Sequence, residues 1–262
     1  MAEPSRDLYI DGFFWSRHFE PAFCRPVRVF VEAVETRLLP TFDNIEKEAE
    51  AVAQAEWEDM SAAAAPDDYI DPGDIAEQAY GAGLDYYDSL SNVRQSILNL
   101  SVVALHHMFE QQTLWFFQRK VLHPGRERAL QELLEKDPRE AQKYLNLGAV
   151  KDHLKSGGID LAALACWRRL CELRLVANTV KHAGGTASEE LRAKRPELFV
   201  HPALRDRAPF YNARPRLYRP AAGEDLYLTL DDLKAYGGAV QQFWREFGEV
   251  ILERSRKRRC GE

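Results

Sequence analysis

Cysteine and long apolar runs are scarce in this chain. It has four cysteines among 262 residues, and two of them, Cys166 and Cys171, lie in an apolar stretch without metal-ligand spacing, which favours small core residues. The uncharged apolar runs are well short of a membrane span. The first residues also lack the basic and apolar segments of a secretory signal. These absences predict a cytoplasmic protein in a reducing compartment, without a membrane partner.

Common signatures of nucleotide and hydrolase sites are lacking as well. Gly81 and Gly83 are followed by no third glycine, so they predict no phosphate loop, and neither a GxSxG nor a paired-cysteine motif occurs. His106 and His107 have Glu110 one helical turn later, and such a pair can share a metal. No third ligand is identifiable, however, and helices commonly carry histidine and glutamate on a polar face. We therefore predict neither a bound metal nor a cofactor.

Most of the chain repeats apolar residues at helical spacing. Hydrophobic residues make up 45% and charged residues 29% of the sequence, as is typical of a globular protein. No internal repeat or linker divides it, so we predict a single all-α domain over residues 1–262, an up-and-down helical bundle. We expect residues 1–24 to form an aromatic-rich irregular arm. Residues 196–230 are expected to form a basic irregular insert, with a strand-like stretch or small hairpin at 226–230, before the last helix.

Helix-breaking residues and helix-capping residues define the predicted helix ends. Pro40 is expected to kink the first long helix, and Asp137 and Asp160 are expected to cap the starts of two later ones. The stretch over residues 60–74 is predicted to be a loop. The predicted helices cover residues 25–59, 74–80, 89–121, 126–136, a segment from 137, 161–183, 188–195 and 231–254.

The central predicted helix, over residues 161–183, is apolar on two faces and is therefore expected to lie in the core. Two stripes follow spacings of three and four: Ala163, Cys166, Leu170, Leu173, Ala177 and Val180, then Leu164, Trp167, Cys171 and Leu175. On the remaining face Arg174, Asn178 and His182 recur every four residues, so their side chains line up over about two turns. Gly184 and Gly185 are expected to end the helix through a left-handed glycine.

Positive charge is concentrated late in the chain, although the net charge is −6. Between Arg192 and Arg219 there are eight basic residues and two acidic ones, Glu197 and Asp206. Basic faces attract polyanions, so this segment is a candidate polyanion-binding face, whereas a solvated loop followed by a frayed helix end remains the alternative.

The sequence Asn178-Thr179-Val180-Lys181-His182 resembles the motif of the HEPN superfamily (higher eukaryotes and prokaryotes nucleotide-binding). That motif has an arginine, often a polar residue next, three further residues and then a histidine, near the end of a core helix. The resemblance implies an α-helical bundle, a homodimer in which two such helices form a joint cleft, and a metal-independent endoribonuclease of a toxin or phage-defence system. The basic segment from Arg192 to Arg219 would then lie near the cleft and hold the RNA backbone. The predicted RNA-binding residues are Arg192, Lys194, Arg195, Arg205, Arg207, Arg214 and Arg216. This chain departs from the family at Ala177, which stands where the arginine is expected.

Metal-independent RNA cleavage needs a base, an acid and a cation beside the phosphate. His182 titrates near neutrality and can serve as the acid–base group, while Arg174 or Lys181 can hold the phosphate and its growing charge. Asn178 can orient either the histidine or the 2′-hydroxyl, because an amide both donates and accepts hydrogen bonds. The alternative is a catalytically inactive HEPN-like module that binds a nucleotide or seats a partner protein, with Ala177 as the reason for lost catalysis.

Overall fold

The computed structural model describes residues 8, 10–63, 71–122, 124–210 and 216–260, without side chains at 124, 126, 127 and 207–210. Helices and their connecting turns make up this part of the chain, and it contains no strand. The all-α class predicted from the sequence is therefore confirmed. None of the described helices combines the length and apolarity needed to cross a membrane.

The α-helices differ widely in length, and short 3₁₀ and π turns connect several of them. The π turns are Glu20–Cys24, Val34–Leu38 and Phe117–Val121, and the 3₁₀ turns are Leu39–Phe42, Leu161–Ala163, Pro196–Phe199, Pro202–Phe210 and Pro220–Ala222. The α-helices are α1 (Gly12–Phe19), α2 (Arg25–Ala33), α3 (Ile45–Ala63), α4 (Pro72–Phe116), α5 (Pro124–Lys136), α6 (Pro138–Gln142), α7 (Leu147–Ser156), α8 (Trp167–His182), α9 (Thr186–Lys194) and α10 (Leu230–Cys260).

Contacts along the backbone group the chain into two compact units, each assembled from separate segments. The first unit comprises Met1–Val31, Val102–Ala177 and Asp231–Glu262, and the second comprises Glu32–Ser101 and Asn178–Leu230. Both α4 and α8 contribute residues to each unit. The predicted single domain over 1–262 stays a prediction.

The core of the first unit is a cluster of aromatic rings around Trp244 of α10. The ring centroid of Trp244 lies 4.3 Å from that of Phe23 and 5.1 Å from that of Phe19. Trp15 and Phe19 lie on α1 and Phe23 follows in the π turn, so the three rings recur every four residues and face the same way. The prediction of an irregular arm over residues 1–24 is therefore wrong from Gly12 onward, and residues 1–7 and 9 lie outside the described part.

Helix α4 is longer at its start than the sequence predicted. It spans 45 residues from Pro72, whereas the sequence predicted a loop, a short helix over 74–80 and a separate start at Ser89. The Oδ1 atom of Asp71 accepts a hydrogen bond from the N–H of Gly73 at 2.8 Å and supports this start. Gly83 does not break the helix. It allows close packing, because a Cβ atom there would lie 2.8 Å from the carbonyl oxygen of Ala49 on α3.

Other predicted helix ends agree more closely with the structure. The kink expected at Pro40 is present, since the chain passes through the 3₁₀ turn Leu39–Phe42 between α2 and α3. Asp137 caps α6, and its Oδ1 accepts hydrogen bonds from the N–H groups of Arg139 and Glu140. Helix α10 continues to Cys260, beyond the predicted end near Arg254.

The segment from 216 to 230 in the second unit is held by amide side chains of α4 and not by a β-sheet. Asn99, which is 0% exposed, donates to the carbonyl oxygens of Pro220 and Leu226, both at 2.8 Å. Gln95 donates to the Asn99 side chain and to the carbonyl oxygen of Leu228, both at 2.9 Å. The strand-like stretch at 226–230 therefore forms no strand, because these carbonyl groups bond to side chains and not to a neighbouring strand. The irregular alternative for this insert is correct.

Candidate functional site

Helix α8, which carries the predicted site, begins later than expected. Asp160 does cap a helical turn, accepting from the N–H of Ala162 at 3.0 Å, but that turn is the 3₁₀ segment Leu161–Ala163. The same N–H and the ammonium of Lys155 lower the pKa of the Asp160 carboxyl. Helix α8 itself starts at Trp167, so the apolar stripe expected from Ala163 is helical only from that residue onward.

The inner side of α8 is buried as predicted. Leu173, Val176 and Ala177 are 0% exposed, and Leu170, Leu175 and Val180 are at most 4% exposed. A helix with so many buried aliphatic side chains is fixed in the core. Polar residues on its remaining face are therefore presented from a rigid support.

The end of α8 is formed by an alanine and not by a glycine. The helix ends at His182, and Ala183 follows in the left-handed region with φ +56°, its N–H donating to the carbonyl oxygen of Thr179 at 2.9 Å. Gly185, with φ +129°, then precedes the first residue of α9. The predicted end near Gly184 is correct, but the predicted glycine cap is wrong, since the left-handed residue directly after the helix is Ala183.

Ser188 stands at the start of the predicted helix over residues 188–195, and the structure places it inside a helix that begins earlier. It lies within α9, and its hydroxyl donates to the carbonyl oxygen of Gly185 at 2.8 Å. The turn between His182 and α9 is therefore held by a side-chain hydrogen bond.

The four predicted catalytic residues lie on α8, and none is used to hold the fold. Arg174, Lys181 and His182 are exposed and Asn178 is half-buried. The side chains of these four residues form no hydrogen bond or ion pair with the described residues. Arg174 belongs to the first unit, whereas the other three belong to the second. A histidine with a purely structural role would be buried and bonded to backbone groups, and His182 is neither.

Ala177, at the position where the HEPN motif has arginine, points into the core. It is 0% exposed and is flanked by the buried residues Val176 and Val180. A charged side chain could not be accommodated there without a large desolvation cost. Any cation beside His182 must therefore come from another position.

The predicted RNA-binding residues differ from the α8 residues because most of them have partners within the chain. Lys194 pairs with Glu190 at 2.6 Å, and Arg195 pairs with Glu197. Arg205 donates to the carbonyl oxygens of Val200 and Tyr227, and so fixes the insert.

Arg192 and Arg216 complete the described part of this set. The guanidinium of Arg192 lies 4.3 Å from the ring centroid of Phe199, and its pKa is lowered by burial, an effect that Asp225 opposes. Arg216 is exposed. The side chain of Arg207 and the whole of Arg214 lie outside the described residues. Because exposed ion pairs are weak, the RNA-binding role of this segment stays a prediction.

The histidine pair of α4 is split between the interior and the surface. His106 is 3% exposed, and its Nδ1 lies 3.4 Å from Oε2 of Glu110. His107 is exposed, and its Nδ1 lies 4.0 Å from the same oxygen. The described part of the chain contains no group of three or more potential metal-ligating side chains. The prediction that no metal or cofactor is bound stays a prediction.

Each unit also contains a cavity that the sequence did not indicate. The cavity in the second unit measures about 390 Å³ and is lined by residues that include Tyr87, Arg94, His201 and Tyr227. The Nδ1 of His201 accepts from the N–H of Ala203 at 3.2 Å, which leaves Nε2–H as a donor in the neutral ring. The cavity in the first unit measures about 270 Å³ and includes Arg174. Neither set shows a spacing that could have revealed it, because its members come from distant segments.

Comparison with known proteins gives no assignment for this site. No family model, no curated protein and no solved structure matched the chain. The function must therefore be inferred from the residues themselves. The two features that call for an explanation are the unpartnered polar face of α8 and the cavities.

Proposed function

We propose that this protein is a HEPN-like, metal-independent endoribonuclease with His182 as its acid–base group. The proposal keeps the other predicted parts, which are an RNA substrate, a homodimer and a cytoplasmic location. Membership of a toxin or phage-defence system is implied by the resemblance alone and stays a prediction.

One observation supports the proposal above the others. Asn178, Lys181 and His182 stand at the end of a core helix and reach solvent fully or in part, and their side chains form no hydrogen bond or ion pair with the described residues. Polar groups that stabilise a fold are bonded within it. Unpartnered groups of complementary chemistry on a rigid helix are better suited to an external ligand.

The chemistry assigned to these residues is a transesterification. A histidine takes the proton of the 2′-hydroxyl, the 2′-oxygen forms a bond to phosphorus, and the bond from phosphorus to the 5′-oxygen breaks. A second proton donor supplies the proton to the departing 5′-oxygen, which leaves a 2′,3′-cyclic phosphate and a 5′-hydroxyl. Lys181 is the cation closest in sequence to His182 and is assigned to the phosphate. Arg174 is the predicted alternative.

A homodimer explains how one histidine position can provide both the base and the acid. A single chain offers one His182, whereas two copies whose α8 ends meet would offer two such rings, one to take a proton and one to give a proton.

The test is cleavage of a mixed RNA pool by the purified protein in the presence of EDTA. The wild type and His107→Ala are expected to cleave, and His182→Ala is expected to be inactive. His107 is a matched control, because it is also an exposed histidine of a long helix and does not belong to the motif on α8. Product ends should be 2′,3′-cyclic phosphates, and light scattering should report a dimer for all three proteins.

Equal cleavage by the wild type and by His182→Ala would contradict the proposal, as would 5′-phosphate products or complete inhibition by EDTA. No cleavage by any folded, dimeric variant would support the second candidate function, a catalytically inactive HEPN-like binding or assembly module. The burial of Ala177 favours this second candidate, because it removes the family's arginine from the surface.

A further inference from the structure

The cavity of the first unit brings together side chains from α4, α7 and α8. It measures about 270 Å³ and is lined by His106 and Phe109 of α4, Lys151 of α7, and Trp167, Cys171 and Arg174 of α8, among others. Ligand pockets typically begin at a few hundred Å³. The space therefore suits a small organic molecule.

The charged side chains that line this cavity are all basic. Lys151 and Arg174 contribute one positive charge each, and no described aspartate or glutamate lines the cavity. Neither cation forms an ion pair with a described residue. Lys151 contributes to the lowered pKa of Asp160, but the ion pair of that carboxyl is with Lys155, at 3.3 Å. Two cations beside one small cavity, without a carboxylate in its wall, favour an anion.

Aromatic and apolar side chains form the rest of the wall. The ammonium of Lys151 lies 5.9 Å from the ring centroid of Trp167, so a cation and an aromatic face are presented side by side. Phe109 and Leu170 are buried and provide further apolar surface. An inorganic ion would leave this surface without a partner, whereas an anion attached to a flat apolar body would cover it.

A buried histidine completes the cavity. The side chain of His106 is only 4% exposed and lines the cavity, while its Nδ1 lies 3.4 Å from Oε2 of Glu110. That carboxylate favours a proton on Nδ1 and helps to fix the ring orientation. The His106 ring is therefore held in a fixed orientation in the wall of the cavity.

We propose that this cavity is a binding site for a small organic anion, a carboxylate or phosphate carried on an aromatic or short aliphatic body. Lys151 and Arg174 bind the anionic group, and Trp167 and Phe109 pack against the body. None of Asn178, Lys181 and His182, the centre of the proposed nuclease, lines this cavity. Arg174, the alternative cation for the nuclease, is assigned here to the organic anion.

Cys171 provides a direct measurement, because it lines the same cavity. Burial raises the pKa of the Cys24 and Cys166 thiols to about 12, with Glu20 and Glu246 respectively adding to the effect, so both should react slowly at pH 8. In Cys260→Ser the half-buried Cys171 is then the reactive thiol of the folded protein. Its modification by iodoacetamide, followed by peptide mass spectrometry, reports access to the cavity, and modification of Cys24 or Cys166 reports unfolding.

Phenyl phosphate and benzoate are expected to protect Cys171, with a Kd on the order of 1 mM or tighter for at least one of them. Inorganic phosphate lacks the body and benzyl alcohol lacks the charge, so both should protect far less. Comparison of phenyl phosphate with benzoate identifies which anionic group is preferred. Protection is expressed as the ratio of the Cys171 modification rates with and without ligand. Each variant is therefore compared with itself.

Lys151→Gln and Arg174→Gln, each in the Cys260→Ser background, should weaken protection roughly tenfold or more, because each removes a charge-assisted hydrogen bond to the anion. Arg168→Gln is the matched control, an exposed arginine of α8 that does not line the cavity. In His182→Ala the organic anions should protect Cys171 as well as they do in the wild type, whatever the effect of this change on RNA cleavage. Absence of protection by both organic anions, or equal protection in Lys151→Gln, Arg174→Gln and the control, would overturn the assignment.

Discussion

The two units are stabilised by different kinds of contact. In the first unit aromatic rings pack around Trp244, whose indole N–H also donates to Oε1 of Gln112 at 3.0 Å. In the second unit the long irregular segment is attached by side chains that bond to backbone groups, chiefly through Asn99. Aromatic packing is non-directional and tolerates small adjustments, whereas each of these hydrogen bonds requires one residue type at one position. The first unit should therefore lose stability in proportion to lost volume, and the second should be sensitive to single polar atoms.

The largest effect is expected for Trp244→Ala. The side chain is 1% exposed and touches rings on three segments, so its removal should cost about 3–5 kcal/mol of unfolding free energy. Urea denaturation followed by circular dichroism measures the loss. Trp115→Ala is the matched control, because Trp115 belongs to the same cluster but is 46% exposed and should cost far less. Similar losses in the two variants would contradict the packing account.

The second-largest effect is expected for Asn99→Ala. It should lower the unfolding free energy by about 2–4 kcal/mol, because it leaves the carbonyl oxygens of Pro220 and Leu226 without their donor. Hydrogen exchange measured by mass spectrometry should rise in the peptides over 216–230 and not in those of α10. Ser96→Ala, one turn earlier, removes a more exposed bond to the carbonyl oxygen of Ala221 and should cost under about 1 kcal/mol. Faster hydrogen exchange in α10 with no change over 216–230 would contradict the assignment of Asn99 as the residue that holds this segment.

Asp225→Ala should cost about 1–2 kcal/mol, because Oδ2 of this buried aspartate accepts from the N–H groups of Tyr218 and Arg219. Its φ of +65° adds to the cost, since alanine is strained in the left-handed region. Asp225→Asn retains an acceptor and tolerates this conformation, so it should lose less than half as much. Thermal unfolding of the two variants measures the difference, and equal losses would show that charge, not geometry, is what Asp225 contributes.

The smallest expected effect is a gain in stability. Ala183→Gly should stabilise the protein by about 0.5–1 kcal/mol, because glycine adopts φ +56° without strain. Gly185→Ala should do the opposite at φ +129°, although no atom lies within 4 Å of the added Cβ. Thermal unfolding measures both, and a loss on Ala183→Gly would show that the backbone at the end of α8 is not strained.

Much of the first unit and of α8 could be predicted, because the buried side of a helix shows in the sequence as apolar residues at spacings of three and four. The buried face of α8 and the polar line from Arg174 to His182 both follow from spacing alone. The start of α4 was missed because Pro72 and Gly73 are typical of a loop, although proline is also tolerated in the first turn of a helix. The close packing that Gly83 allows depends on α3. Asn99 was missed for a similar reason, since its acceptors, Pro220 and Leu226, are more than a hundred residues away in sequence.

Some features of the candidate site could likewise be predicted from the sequence, and others could not. The face of α8 that carries His182 could be predicted, because a helix places every fourth residue on one side. The hydrogen bond of Arg205 to Tyr227, and the approach of Lys151 to the cavity that contains Arg174, could not. They depend on how separate segments pack, and no local spacing encodes that.

The packing of α1 has a practical consequence for anyone who shortens this protein. Gly12 meets the backbone of α10 so closely that a Cβ atom would collide with the carbonyl oxygen of Ile251, and its N–H donates to the Ser255 hydroxyl at 3.2 Å. A chain trimmed to begin at Arg25 would lack Trp15, Phe19 and Phe23 and would uncover the rings of Phe116 and Trp244. Exposed aromatic surface of this kind promotes self-association. Such a fragment should therefore be recovered as aggregate.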